Sequence, residues 1–288
     1  MRLTACLAFF SPADFELPRR HLRDTLAWLV RERVPAVLAQ VVRTGQEPQP
    51  VPDGVQSLVY RSDDVLFLKE NLWNLAALET DSDTLLFLDT DICFSVDDVA
   101  GATAKLLEQC DVCQPFETAM WLNRDGAVDF VRTCSAKAIA EQVEPVTRAY
   151  HPGFAWAMTR EAFGRLGGFY DRHPFGGGDT AFSFGLWGAR PTYPLMESIV
   201  WDTPSFIAYQ RNAASAALRV GYLQGVAAMH RWHGSVANRQ YVTRTNCLPI
   251  EAGQEYPLRR RPDGLLAWES AAANAAMTAY FASRREDG

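Results

Sequence analysis

What this sequence lacks narrows it first. No apolar stretch approaches the roughly 18 residues a helix needs to cross a bilayer, so nothing reads as a membrane span. Met1 to Phe10 holds one Arg and a short apolar run, and Ser11-Pro12-Ala13-Asp14 resembles a strand-to-loop transition more than a cleavage site; a first core strand is expected there rather than a leader. Charge of one sign is not in excess. The 28 Lys and Arg against 34 Asp and Glu leave a net charge of -6, which gives no broad attraction to phosphate backbones and argues against nucleic acid as a default partner. Cysteine is sparse and irregularly spaced, six in 288 residues, which excludes a disulfide scaffold and points to a reduced, cytoplasmic protein. Cys110 and Cys113 form a C-x-x-C with no second pair to complete a zinc site, so they read as strand cysteines. Internal repeats, coiled-coil heptads and low-complexity tracts are also missing.

What is present is ordinary globular material, 48% hydrophobic and 22% charged, in a chain long enough for one large α/β domain with a C-terminal appendage. Leu3 to Phe10 reads as a strand. Pro18 to Glu32 reads as a helix with Leu22, Leu26, Leu29 and Val30 on one face, and Ala36 to Val42 as a second strand. After the Pro/Gly-rich loop Thr44 to Gly54, a short strand is expected at Ser57 to Tyr60, a helix over Asp63 to Glu79 and a buried strand over Thr84 to Leu88. Ser95 suits the N-cap of a helix from Val96 to Gln109, with Asp97 and Asp98 near its positive end. Glu117 to Ala149 has no steady period and reads as a long surface excursion, after which Gly153 to Met158 re-enters the core. Such alternation predicts a mostly parallel central sheet flanked by helices.

The chemistry concentrates where Leu85-Leu86-Phe87-Leu88 ends abruptly in Asp89-Thr90-Asp91. Carboxylates at the C-terminal edge of an α/β sheet face the binding crevice, and hard oxygen ligands suit Mg²⁺ or Mn²⁺ on a diphosphate. An Asp-x-Asp also arises by chance, so the downstream residues matter. Phe175-Gly176-Gly177-Gly178-Asp179 brings glycines that admit close approach and one acid; Asp179 either accepts hydrogen bonds from hydroxyls or caps a helix. His230-Arg231-Trp232-His233-Gly234 carries two imidazoles three residues apart, able to complete a metal shell.

Five blocks in order, Lys69-Glu70-Asn71-Leu72-Trp73-Asn74, Phe87-Leu88-Asp89-Thr90-Asp91, His151-Pro152-Gly153-Phe154-Ala155-Trp156, Gly176-Gly177-Gly178-Asp179 and His230-Arg231-Trp232-His233-Gly234 with Asn238-Arg239-Gln240-Tyr241, resemble GT-A glycosyltransferases. The chain is similar in particular to bacterial and phage relatives of the galactosyltransferase and polypeptide N-acetylgalactosaminyltransferase catalytic domains, over about residues 3 to 245. The resemblance implies a Rossmann-like GT-A catalytic domain over 1–245, with 246–288 packed on or beside it. It implies a UDP-sugar donor and Mn²⁺ or Mg²⁺. Asp91 would be the direct metal ligand, Asp89 would contact the donor ribose or the metal through water, and His233 would be the late ligand, with His230 placed to share the ion. Lys69 and Asn74 would lie beside the nucleotide. Asp179 would bind the acceptor or act as base, although Thr180 and Ala181 stand where relatives carry further acids. Arg239 is a phosphate contact by charge alone.

The acceptor is left open among a glycan, a protein hydroxyl, a small molecule and a modified DNA base, for which Arg19, Arg20 and Arg23 or Arg259 to Arg261 could line a path. Two rivals share these residues: a metal-dependent hydrolase of nucleotide diphosphates, and a non-catalytic nucleotide- or glycan-binding module using Trp121 and Trp187.

Overall fold

The computed structural model describes residues 2–143, 149–188, 200–240, 247–248, 250–251 and 253–288. Tyr241 and the expected boundary at 245/246 lie outside the described residues.

The first third follows the sequence pattern. Strand β1 (Leu3–Phe10), helix α1 (Glu16–Arg31), β2 (Ala36–Val42), β3 (Val55–Arg61), α2 (Lys69–Leu78) and β4 (Thr84–Leu88) come in that order. All residues of β2 and β4 are buried, as expected of strands covered on both faces. Helix α1 turns Leu22, Leu26 and Leu29 inward, with His21 and Thr25 beside them, while Val30 faces out at 41% exposure. The expected helix over Asp63 to Glu79 begins only at Lys69, because the backbone before it is held elsewhere. Asp63 accepts from Thr44 N and Oγ1, and Val65 N donates to Asn274 Oδ1. Leu78, its last residue, is 69% exposed.

Beyond Asp91 the chain enters a second sheet that periodicity did not announce. Strand β5 (Ile92–Phe94) precedes α3 (Val99–Leu106), whose cap is Asp98, accepting from Gly101 N at 2.9 Å. Ser95 is therefore not the cap; its hydroxyl accepts from Ala227 N instead. After β6 (Val112–Gln114), the supposed excursion contains β7 (Thr118–Leu122), β8 (Val128–Cys134) and α4 (Ser135–Ala140). Asn123 Oδ1 accepts from Asp125 N and Ala127 N, and Gly126 takes φ +83, so this is a hairpin turn. Exposure along most of β8 is what erased the alternation.

The remaining elements are β9 (Tyr150–His151), β10 (Ala155–Thr159), α5 (Arg160–Leu166), α6 (Gly178–Trp187), α7 (Pro204–Ala216), β11 (Val220–Tyr222), β12 (Ala227–His230), α8 (Val236–Arg239), β13 (Leu258–Arg260), β14 (Leu266–Trp268) and α9 (Ala271–Ser283). The central sheet runs β11-β6-β10-β4-β1-β2-β3, and only β10 opposes the direction of the others. It is an α/β fold with a mixed, mostly parallel sheet flanked by helices. The second sheet runs β5-β12-β7-β8-β9, and β13-β14 form a ribbon. No helix among the described residues is long and apolar enough to cross a membrane.

The core behind β4 is aromatic. Phe87, fully buried, stacks on Phe163 at 5.9 Å and meets Phe169 edge-on at 4.7 Å and Trp73 at 5.8 Å. These contacts fix the height at which β4 releases Asp89. Phe87→Ala should destabilise the fold by about 3–5 kcal/mol, read as a lower midpoint in urea denaturation.

Candidate functional site

Asp89, Thr90 and Asp91 are the whole link between β4 and β5, so they stand at the C-terminal edge of the central sheet where the two sheets meet. Strand β12 ends beside them. Arg231 N donates to Asp91 O at 2.8 Å, which sets His230 and His233 against the Asp91 carboxylate. Asp91 Oδ2 lies 3.0 Å from His233 Nε2 and 3.4 Å from His230 Nε2, and the two imidazole nitrogens are 3.2 Å apart. Arg239 Nη1 stands 3.2 and 3.4 Å from the same nitrogens. Asp91 Oδ1 is buried with no hydrogen-bond partner among the described residues.

Two nitrogen lone pairs and a carboxylate converging this closely need a shared proton or cation between them. One donor atom from each of Asp91, His230 and His233 lies within 4.8 Å of the others, and an Asp/His/His set with an orphaned carboxylate oxygen fits a divalent ion. His233 is aimed by a carboxylate that sequence reasoning missed: Nδ1 donates to Glu286 Oε2 at 3.0 Å, and Glu286 in turn is held by Arg284 at 2.8 Å. A partner on Nδ1 fixes which ring nitrogen would face a cation. Gly234 makes the approach possible, since at φ +91 its Cβ would stand 2.7 Å from Arg285 O. Nothing in the spacing around Glu286 marks it as part of a site, because its partner is 53 residues away.

Beside this cluster lies a second one, centred on Lys69 at the start of α2. Its ammonium is 3.3 Å from Asp89, 3.2 Å from Asp179 and 3.7 Å from Glu70, and it sits 5.0 Å above the Trp73 ring. Asp179 occupies the first turn of α6 without capping it, since the N-cap is Gly177 with no side-chain hydrogen bond, and its Oδ1 accepts from Thr180 N at 2.7 Å. Glu70 is a second unforeseen member, buried against Gly178, whose Cβ would collide with it at 2.4 Å. Its signal was adjacency to Lys69 in a block already singled out.

Burial and charge set the protonation of both clusters. Burial pushes Asp89 and Glu70 up to about 7, with Lys69 opposing the shift. For Asp179 burial acts the same way but is outweighed by the charges of Lys69 and His151, leaving it at about 2. Burial would also raise Asp91, yet His230 and His233 hold it well below the carboxylate range. Burial lowers His230, so the charge of the imidazole pair is assigned to His233. There two carboxylate hydrogen bonds, from Asp91 and Glu286, overcome burial and raise it to about 9.

Of the residues singled out from sequence, Lys69, Asp89, Asp91, Asp179, His230, His233 and Arg239 come together. Asn74 does not join them. Its Oδ1 accepts from Phe169 N at 2.8 Å and its Nδ2 donates to Phe169 O at 2.9 Å, so the amide clamps the turn after α5. Trp187 is also engaged, donating to Val143 O and stacking on Phe184. The arginine clusters are largely paired: Arg19 with Asp14, Arg23 with Glu16, Arg260 with Asp171 and Arg261 with Asp263.

Comparison with known proteins returns no matching family model and no matching curated sequence. Solved structures do align. S. aureus TarS 1–349 matches at 10% identity over 75% of this chain and 65% of that one, with a TM-score of 0.46. The same TarS fragment in complex with UDP-GlcNAc matches at 10% identity over 88% and 68%, with a TM-score of 0.45. The catalytic domain of Drosophila β1,4-galactosyltransferase 7 complexed with xylobiose matches at 16% identity over 67% and 65%, with a TM-score of 0.36. The chain thus spans about 65% of the length of the TarS fragment. Likeness at this level is distant, and the functional reading has to stand on the geometry above.

Two outcomes follow. Because His233 is raised above its unfolded value of 6.5, its stabilisation is complete below that pH and is lost as pH rises through about 9. In EDTA-treated protein, urea stability should fall by roughly 1–3 kcal/mol between pH 6.5 and 9, and Glu286→Gln should flatten that slope. Asn74→Ala should cost about 1–3 kcal/mol through the unpaired Phe169 backbone, read as a lower midpoint in urea denaturation.

Proposed function

We propose that this chain is a divalent-cation-dependent glycosyltransferase that moves a sugar from a UDP-sugar to an acceptor hydroxyl. The observation that carries the reading is Asp91, half-buried at the C-terminal edge of the central sheet with one oxygen buried and orphaned among the described residues and the other facing two imidazoles. Asp91, His230 and His233 would hold the ion, and imidazole donors favour Mn²⁺ over Mg²⁺. A bound ion would neutralise charge gathering on a diphosphate leaving group.

The chain's own residues supply the rest. Arg239 brings a guanidinium to the cation cluster, where it can pair with phosphate oxygens. Lys69 keeps Asp89 and Asp179 on one spot, so the donor and acceptor sides of the site share a charge partner. Asp179, held ionised at about 2, is suited to accept a hydrogen bond from the incoming hydroxyl and to orient it. Its low proton affinity favours that orienting role over full deprotonation ahead of bond formation. Residues 1–245 would form the catalytic unit, and 246–288 would pack beside it and contribute Glu286. The acceptor is a glycan, a protein or a small molecule in preference to DNA, since the arginine clusters largely face acids of the same chain.

The test is a UDP-sugar screen with Mn²⁺, following UDP release with and without acceptors. Acceptor-dependent release is expected, and Asp91→Asn should lower it by roughly 10²-fold or more, since even outer-shell changes at metal sites cost about 10–100-fold. Rapid release that ignores every acceptor would make the protein a hydrolase. Asp179→Asn at near wild-type rate would remove Asp179 from the reaction.

A further inference from the structure

Helix α1 begins without a cap of its own. Phe15 stands at its N-cap and makes no side-chain hydrogen bond, which leaves the amides of Glu16 and Leu17 to find acceptors elsewhere. Both are taken by one carboxylate from far along the chain. Asp287 Oδ2 accepts from Glu16 N at 3.0 Å and Oδ1 from Leu17 N at 2.7 Å, across 271 and 270 residues. A negative charge is favourable at the positive end of a helix, and two bonds to one carboxylate fix its direction as well as its distance.

The residue before that anchor is Glu286, whose Oε2 meets His233 Nδ1 at 3.0 Å. The backbone leading to it lies against the turn that carries His233. Arg285 N donates to Asn238 O at 3.1 Å, and the Cβ that Gly234 lacks would stand 2.7 Å from Arg285 O and 3.2 Å from Glu286 Cα. Arg284, 4% exposed, pairs with Glu286 at 2.8 Å and lies 5.4 and 5.3 Å from the Phe67 and Phe281 ring centres. The segment 284–287 is thus held at three points, and the outermost is Asp287 on α1.

Helix α1 also touches the other two parts of the cation cluster. Thr25 Oγ1 donates to Thr90 O at 2.7 Å, between Asp89 and Asp91. One turn earlier, His21 Nε2 lies 3.0 Å from Trp232 O, between His230 and His233, and His21 O accepts from Arg231 Nη1 at 3.4 Å. The helix is therefore a common post for the carboxylate link, the histidine turn and, through Asp287, the carboxylate that aims His233. Consecutive Cα atoms are only about 3.8 Å apart, so displacement of Asp287 is passed on to Glu286.

We propose that Asp287 is a positioning residue of the cation site: by tying the segment after α9 to the start of α1, it holds Glu286 on His233 and so strengthens divalent-ion binding. This goes beyond the transferase reading and rests on its cation site. Apparent affinity falls with the fraction of molecules in which a site is assembled, so loosening the anchor weakens ion binding without touching a ligand.

Titration of the full chain with Mn²⁺ tests this, with free ion counted by electron paramagnetic resonance, first with Mn²⁺ alone and then with UDP present. Asp287→Ala should weaken Mn²⁺ binding at least threefold, and Asp287→Asn, which keeps one accepting oxygen, should recover most of the loss. Glu286→Ala should weaken it by about tenfold or more, as removal of an outer-shell partner does, and in that background Asp287→Ala should add nothing measurable. Thr159→Ala is the control. It removes the cap of α5, where Thr159 Oγ1 accepts from Ala162 N at 3.1 Å, at the end of β10 that pairs with the start of β4. It should lower the urea midpoint and leave Mn²⁺ affinity as in wild type. A loss below threefold in Asp287→Ala makes that residue a helix cap alone and overturns the proposal. A loss that persists in full on top of Glu286→Ala overturns it equally. A wild type that binds no Mn²⁺ under either condition would instead sink the cation site itself.

Discussion

Three consecutive residues connect the two sheets, and each is tied by its backbone to a different element. Asp89 N donates to Phe154 O before β10, Thr90 O accepts from Thr25 Oγ1 on α1, and Asp91 O accepts from Arg231 N after β12. A link this short has few soft dihedrals, and anchoring every member leaves the two carboxylates little freedom. The cation cluster depends on the third tie and the lysine cluster on the first. Shifting either strand end would move a carboxylate away from partners that it now meets at about hydrogen-bond distance. The site is therefore a property of the junction between sheets more than of any loop.

Such a junction is costly. Asp89, Asp91, Asp179, Glu70 and Glu286 all stand within a few ångströms of one another's partners, opposed by Lys69, Arg239, Arg284 and the two histidines. Burying ions costs several kcal/mol each, and apolar replacements of the same volume are often as stable. Clusters of this kind are a poor way to hold a fold together. Carboxylates driven to opposite ends of the scale within one cleft, Asp89 and Glu70 up and Asp179 and Asp91 down, are what a reaction site requires.

Sequence reasoning reached the parts of this arrangement that are local. Strand β4 was legible because both its faces are buried, giving an unbroken apolar run that stops at Asp89. Lys69, Asp179 and His230 were within reach because each sits at the end of a regular element, and His233 follows three residues after one. The second sheet was not legible. Its strands are short, β8 is largely exposed and β9 has two residues, so no period of two survives. Position on α2 cannot say which way the Asn74 amide turns, and the Phe169 backbone claims both of its polar atoms. Glu286 left no trace because its role is created entirely by tertiary contact with His233.

Phe154 shows how the two sheets are made to act as one. Its carbonyl belongs to the central sheet's edge through Asp89, and its ring belongs to the second sheet through His230 and Trp121. Phe154 makes both contacts from a left-handed backbone conformation, at φ +76. Glycine would relieve the strain at that position and surrender the ring. The retained phenyl ring thus couples the height of Asp89 to the tilt of His230, so that the carboxylate beside Lys69 and the imidazole beside Asp91 are set by one residue.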